Sequence, residues 1–323
     1  RMGNKKQYSA KRRPRVSDNP ELQDYDYHLP VMLRECVDAL MACGPDGTYI
    51  DGTLGGGGHT AEILSRLEEE GRLISYDADP DAILHCQERF KTIMEQYPKR
   101  LTLREANFVF MTQDEIPDES ISGVLLDLGV SSRQLDKGQR GISYRFNTKL
   151  DMRFGPNGQT AEELLNSIEE GKLHHILRGF GEEPFARIIA RRVVERRRAA
   201  PLQSTYDLRH LIEECVPPHI VSKSLARVFQ AIRIAVNEEL DILEKTIRGI
   251  IPKLVSGGRI VILSYHSLED RIVKHVFKEL ASKNDDNIPS LRIFTPKPIE
   301  AQQEEISRNP RARTAKLRIA EKC

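Results

Sequence analysis

The stretch "YIDGTLGGGGHT", residues 49–60, limits the possible folds more than any other part of the chain. A short apolar run ends in Asp51, four consecutive glycines (Gly55 to Gly58) follow, and a helix-forming segment begins at once. Each glycine costs conformational entropy on folding, so four together imply a place where bare backbone must come close to something. In an open α/β sheet that place is the carboxyl end of a strand, beside the point where the strand order reverses.

The flanking sequence supplies such a sheet. "TYID" (48–51), "RLISYD" (72–77), "LTLRE" (101–105) and "GVLLDLG" (123–129) read as strands, with helices predicted at 60–71 and 80–90. The fourth strand is apolar enough to be buried on both faces. Alternation of this kind predicts a parallel sheet with right-handed crossovers. From 133 to about 222 the alternation stops. A polar loop is followed by helices at 160–171, 184–198 and 205–216, the first opened by a Thr160/Glu163 capping box, which reads as a helical insertion. Apolar residues from Leu225 through Val228, Ile232, Val236, Leu240 and Leu243 to Ile247 share one face and predict a single long helix. "GGRIVILSY" (257–265) returns to the sheet, and "LRIF" (291–294) and "AKLRIA" (315–320) read as final edge strands.

What the glycines hold is narrowed by elimination. The dinucleotide pattern G-x-G-x-x-G fails, because its last position falls on Thr60 or Ala61, and no Gly-Lys-Ser/Thr marks a phosphate loop. A glycine turn without phosphate machinery can hold the amino-acid end of S-adenosylmethionine. Asp77, closing the second strand, is placed to accept from ribose hydroxyls. Phe108, after the third, can stack on an adenine ring, and His59 stands beside the turn. Each also has a plain structural alternative: a solvated strand-end carboxylate, a core aromatic, a locally packed histidine.

Net charge is only +1, yet the basic residues are clustered: seven Lys/Arg in residues 1–15, six Arg in 187–198 and five Lys/Arg in 308–318, with a single acid among them. The remaining body is acidic. Basic patches of this sort suit a polyanion such as nucleic acid. Arg187, Arg191 and Arg198 fall on one helical stripe, and Arg311 and Arg313 lie in the basic stretch near 310. Five scattered cysteines without a CxxC pair indicate neither a disulfide framework nor a zinc site and fit a reducing compartment. No apolar run is long enough for a membrane helix and no secretory signal pattern is present, so no membrane association is expected.

"YHLPVMLRE", "YIDGTLGGGGHT", "LLDLGVSSRQLD", "RGISYRF", "LDMR", "FGEEPFARIIARRVVERR", "VFQAIRIAVNEEL", "GGRIVILSYHSLEDRIVK" and "NPRARTAKLRIAEK" span residues 27–322. In that order they resemble the S-adenosylmethionine-dependent cytosine-N4 methyltransferases of small-subunit (16S) ribosomal RNA. The resemblance implies an α/β, Rossmann-like class I methyltransferase fold with an inserted all-helical domain. The implied parts are a disordered basic extension (1–26), a discontinuous methyltransferase domain (27–132 and 223–323) and a substrate-recognition insertion (133–222). It implies S-adenosyl-L-methionine as cofactor, held by Gly57, Gly58, His59, Asp77, Phe108, Asp127 and Gln134, and no metal. It also implies methyl transfer to the N4 of one cytidine in the decoding region, with rRNA in the assembled small subunit as partner. Cytoplasm is the expected compartment, with mitochondrion or plastid as the alternative. The chain departs from the family pattern at "YDADP", "SYRFNTKLDMRF" and "PPHIVSKSLARVFQ".

The chemistry asks for a hydrogen-bond acceptor that turns the amine lone pair toward the methyl, and for somewhere a proton can go. Asp127, His266 and Asp151 are the candidate catalytic residues, with Arg153 and Asn237 as further pocket candidates. Structural alternatives stand beside them: a turn cap for Asp127, a satisfied structural histidine for His266, an Asp151–Arg153 pair. Arg187, Arg191, Arg198, Arg311 and Arg313 are the expected RNA contacts, and a target buried in folded RNA would need its base turned out. Methyl transfer to another base or to DNA, and a non-catalytic RNA-binding role in ribosome assembly, remain as alternatives, with a nicotinamide-dependent dehydrogenase behind them.

Overall fold

The computed structural model describes residues 29–130, 140–283 and 288–323. The expected extension at 1–26 and Gln134 lie outside the described residues.

Eight strands form one sheet: β1 Thr48–Asp51, β2 Arg72–Asp77, β3 Leu101–Glu105, β4 Ile121–Asp127, β5 Leu254–Ser264, β6 Leu291–Ile293, β7 Ile299–Glu300 and β8 Lys316–Lys322. The order is β3-β2-β1-β4-β5-β8-β6, with β7 on β8. β1 to β5 are parallel, and β8 runs antiparallel to its neighbours. The order reverses between β1 and β4, which opens a crevice at their carboxyl ends. β4 is buried at six consecutive residues, as a strand covered on both faces must be.

One face of the sheet is covered by helices Leu33–Leu40, Gly58–Arg66 and Pro80–Arg89 through Val37, Leu40, Ile63, Leu64, Ile83 and Cys86. Helices Glu239–Ile250 and Ser267–Ala281 cover the other through Leu243, Ile247, Val273 and Phe277. The insertion has its own core, formed by Leu165, Leu177, Ile189, Val193, Leu208 and the residues of helix Val221–Val236 that face them. The Thr160/Glu163 capping box is present, and a second, Ser204/Asp207, starts helix Thr205–Cys215.

Three sequence expectations are corrected. The long helix is two, Val221–Val236 and Glu239–Ile250, separated at Glu238, which is left-handed (φ 48°). Apolar spacing continues through the break, but Val228 and Ile232 enter the insertion core whereas Leu243 and Ile247 enter the sheet core. Residues 223–236, expected with the methyltransferase part, therefore pack with the insertion. Finally, "AKLRIA" is an interior strand, not an edge. On it Arg318 is buried, and its guanidinium donates to both oxygens of Asp270, at 2.6 and 3.1 Å. Among the described residues no helix is long and apolar enough to cross a membrane, and no His/Cys/Asp/Glu group could hold a metal ion.

Candidate active site

The glycine turn sits at the crevice. Gly55 and Gly57 are left-handed (φ 52° and 85°), which lets the chain leave β1 and enter helix Gly58–Arg66 within a few residues. Gly55, Gly56, Gly58 and His59 line a cavity between β1, β2 and β4. Gly57, expected among the cofactor contacts, is not among the lining residues. A Cβ there would stand 2.8 Å from the Phe90 ring, so this glycine lets two helices approach.

Beneath the turn, Asp51 is fully buried. It accepts from the Thr53 amide (3.0 Å) and the Thr60 hydroxyl (2.7 Å), and Thr60 in turn meets Ser75 at 2.8 Å. This network ties the end of β1 to the start of the helix and to β2. Burial pushes the Asp51 carboxyl above its ordinary range, and the nearby His59 and the hydrogen bonds hold it down.

Asp77 closes β2 and lines the cavity. Its two oxygens accept from the Gly55 and Asp79 amides, each at 2.8 Å, so the same carboxylate shapes the glycine turn and faces the open space. Burial raises its pKa to about 6. The two amide bonds oppose that rise, and the neighbouring Asp79 and Asp51 charges add to it. Phe108 begins a short 3-10 turn capped by Asn107, and lines the cavity opposite Ile242 and Leu243. These three side chains give this part of the cavity an apolar wall of the kind a flat ring packs against.

Asp127, the last residue of β4, stands on the far wall. The Tyr265 hydroxyl donates to its Oδ1 at 2.6 Å, and His59 Nδ1 lies 3.6 Å from its Oδ2. Its own amide donates to the Thr53 hydroxyl at 2.7 Å. Burial pushes this carboxyl up, while His59, Tyr265 and Arg311 favour its charged form. His59 Nε2 is buried with no hydrogen-bond partner among the described residues.

Other expected residues are placed differently. Asp151 is held by Arg153, with Nε to Oδ1 at 2.6 Å and Nη2 to Oδ2 at 3.2 Å, and neither residue is among those lining the cavity. The Asp151–Arg153 pair, the structural alternative offered by the sequence, is thus present. His266 caps helix Ser267–Ala281: Nδ1 accepts from the Glu269 amide at 3.4 Å and Nε2 stands 3.1 Å from Glu269 Oε1. It does not line the cavity, whereas its neighbours Tyr265 and Glu269 do. Asn237 does line it, while its amide clamps the entry of the insertion: Oδ1 accepts from the Phe154 amide (2.9 Å) and Nδ2 donates to the Met152 carbonyl (2.8 Å). Arg187, Arg191 and Arg198 are exposed on helix Ala186–Ala199, and Arg313 is exposed near the C-terminal strand. Arg311 donates to the Val130 carbonyl at 2.7 Å and reaches the cavity.

Tyr265 and Asp51 were missed at the sequence level. A signal existed: β1, β2 and β4 all end in aspartate, at 51, 77 and 127. Three carboxylates at one edge of a parallel sheet mark where polar chemistry gathers.

A ligand that fits these walls has a flat ring for the apolar wall at Phe108, hydroxyls for Asp77 and a polar end for the glycine turn and the unpartnered His59 nitrogen. S-adenosylmethionine has all three, and fold and site together define a class I methyltransferase that uses it. A family model described as the MraW methylase family matches residues 26–323. The ribosomal RNA small subunit methyltransferase H of Heliobacterium mobile is 42% identical over 313 residues, covering 92% of this chain and 99% of that protein. Its namesake from Trichlorobacter lovleyi is 42% identical over 310 residues, with 92% and 98% covered. That of Fusobacterium nucleatum is 41% identical over 312 residues, with 92% and 97% covered. The chain belongs to the MraW methylase family.

Proposed function

We propose that this protein methylates the exocyclic N4 of a cytidine in the decoding region of small-subunit (16S) rRNA, within the assembled small subunit and in the cytoplasm. The names of the relatives support an rRNA substrate. These relatives are bacterial and lend no support to an organelle. The observation that carries the reaction is Asp127, a partly buried carboxylate on the cavity wall, held by the Tyr265 hydroxyl.

S-adenosylmethionine, when bound, supplies a methyl already activated on a sulfonium. Gly55, Gly56, Gly58 and His59 hold its amino-acid end, Asp77 the ribose and Phe108 the adenine. The cytosine amine is a weak nucleophile because its lone pair is delocalised into the ring. Asp127 accepts a hydrogen bond from that amine, turns the lone pair toward the methyl, and holds the nitrogen at a near-attack distance of about 3–3.5 Å. The N–C bond would form as the sulfonium S–C bond breaks, with neutral S-adenosylhomocysteine as the leaving group, and N4 would then carry an extra proton. Asp127 accepts it, and its raised pKa suits that task.

The test is methyl transfer by the purified protein to assembled small subunits, naked rRNA and DNA, followed by nucleoside mass spectrometry. N4-methylcytidine in rRNA, made best on the assembled subunit, is expected. Asp127→Asn should lower the rate by about 10²-fold or more, while leaving cofactor affinity near wild type. Methylation of DNA alone, or tight RNA binding without any transfer, would overturn the proposal.

A further inference from the structure

A second open space lies beside the cofactor cavity, lined in part by the segments "RGISYRF" and "NPRAR". It is a groove of about 680 Å³ between the insertion and the segment around residue 310. That volume is within the range of ligand sites. Four arginines from separate parts of the chain converge on it: Arg145, Arg233, Arg308 and Arg311. No Asp or Glu is among the described lining residues, although the chain as a whole carries 48 acidic against 49 basic side chains. Arg233 leans back onto Glu239 at 3.3 Å, but Arg145 and Arg308 are exposed on opposite sides of the groove. An edge-to-face pair, Tyr144 and Phe229 with centroids 5.5 Å apart, gives the groove an apolar floor.

The groove also meets the cofactor cavity. Leu29 and Arg311 line both spaces, and Asn309 donates to the Leu29 carbonyl at 2.9 Å, which fixes the rim between them. A nucleotide whose base entered the cavity would have its flanking phosphates here.

We infer that this groove is the binding track for the single-stranded RNA flanking the target nucleotide, with Arg145 and Arg308 on its phosphates and a base against half-buried Tyr144, which the buried Phe229 backs. The inference rests on the proposed RNA substrate and adds where that RNA lies. It keeps Arg311 from the expected RNA contacts, adds Arg145 and Arg308, and moves the contact away from the expected stripe Arg187, Arg191 and Arg198. A phosphate track explains the mixture of an all-basic wall with an aromatic floor, since single strands are held by just that combination.

The experiment measures binding of a fluorescently labelled RNA of the decoding-region sequence across a salt series, using the full chain. Wild type is compared with Arg145→Gln/Arg308→Gln and with Arg187→Gln/Arg191→Gln/Arg198→Gln. Every substituted side chain is exposed, so folding is not at stake, and S-adenosylmethionine affinity serves as the check. Losing two phosphate contacts should make log K against log salt shallower by about 1.4 and weaken binding, with cofactor affinity unchanged. KM for the RNA should rise more than kcat falls. A groove variant with the wild-type slope and affinity would overturn the inference, most directly if the stripe variant lost the slope instead. Failure of the wild-type protein to methylate any small-subunit RNA would overturn the proposed function itself, and the groove assignment with it.

Discussion

Asp77→Asn tests the site without relying on catalysis. Asp77 is a partly buried carboxylate whose pKa is raised from 3.8 to about 6. A raised carboxyl binds its proton more tightly in the folded chain than in the unfolded one, so wild-type stability falls as pH climbs from about 4 through 6. At about 1.4 kcal/mol per pH unit, the loss attributable to this one group is about 3 kcal/mol by pH 7. Asparagine removes the titration. It also weakens one amide bond, because only one oxygen remains to accept from the Gly55 and Asp79 amides, but that cost is an offset that does not vary with pH. The variant-minus-wild-type difference in unfolding free energy should therefore rise by about 3 kcal/mol between pH 4 and pH 7, whatever its absolute level. Urea unfolding of the ligand-free protein at a series of pH values reads this directly. Ionised, this carboxylate accepts from ribose hydroxyls through both oxygens and more strongly than when one oxygen carries a proton, so wild-type affinity for S-adenosylmethionine should be up to about tenfold lower at pH 5 than at pH 7. The variant should bind weakly at both. A stability difference that stays flat with pH would mean that Asp77 titrates as an ordinary surface carboxylate, and the description of the cavity wall would be wrong.

Two further substitutions probe neighbouring walls. Tyr265→Phe deletes the 2.6 Å bond to Asp127 and leaves that carboxylate free to swing. kcat should drop by about tenfold, the worth of a hydrogen bond to a charged group, with cofactor affinity unchanged in calorimetry. A wild-type kcat would show that Tyr265 does not position Asp127. Gly57→Ala forces a side chain onto a φ of 85° and a Cβ to within 2.8 Å of Phe90. Strain and overpacking together should cost about 2–4 kcal/mol in thermal unfolding, and Phe90→Leu in the same chain should recover part of it. An unaltered melting temperature would refute the close approach of the two helices.

The parallel half of the sheet was readable because each strand there is a compact apolar run closed by a turn. The glycine turn and Asp77 were readable because strand, turn and helix follow one another directly, so sequence spacing is spatial spacing. Legibility fails where burial depends on partners far away in the chain. Arg318 looks like a solvated residue until Asp270 is brought beside it. The apolar stripe from Leu225 to Ile247 has unbroken helical spacing, and nothing in that spacing reports that Glu238 turns the chain from one core to another. Asp151 and His266 sat in motifs that pointed toward chemistry, but each side chain meets a near neighbour first, Arg153 and Glu269. Tyr265 lies next to His266 in the chain. Only the strand-to-helix turn after β5 decides which of the two rings faces inward.

The clamp made by Asn237 has a consequence for how this chain folds. β4 and β5 are adjacent in the sheet, yet Ile121 pairs with Leu254 across the whole insertion. Pairings between segments so far apart in sequence are slow to form, because the intervening chain must surrender its freedom first. The contacts of Asn237 with Met152 and Phe154 bring the exit of the helical insertion back to its entrance. Once those helices have assembled on their own local contacts, the two strands are separated by an effectively shorter stretch of chain than the full insertion. An asparagine on the cavity wall thereby shortens the search by which the sheet is completed.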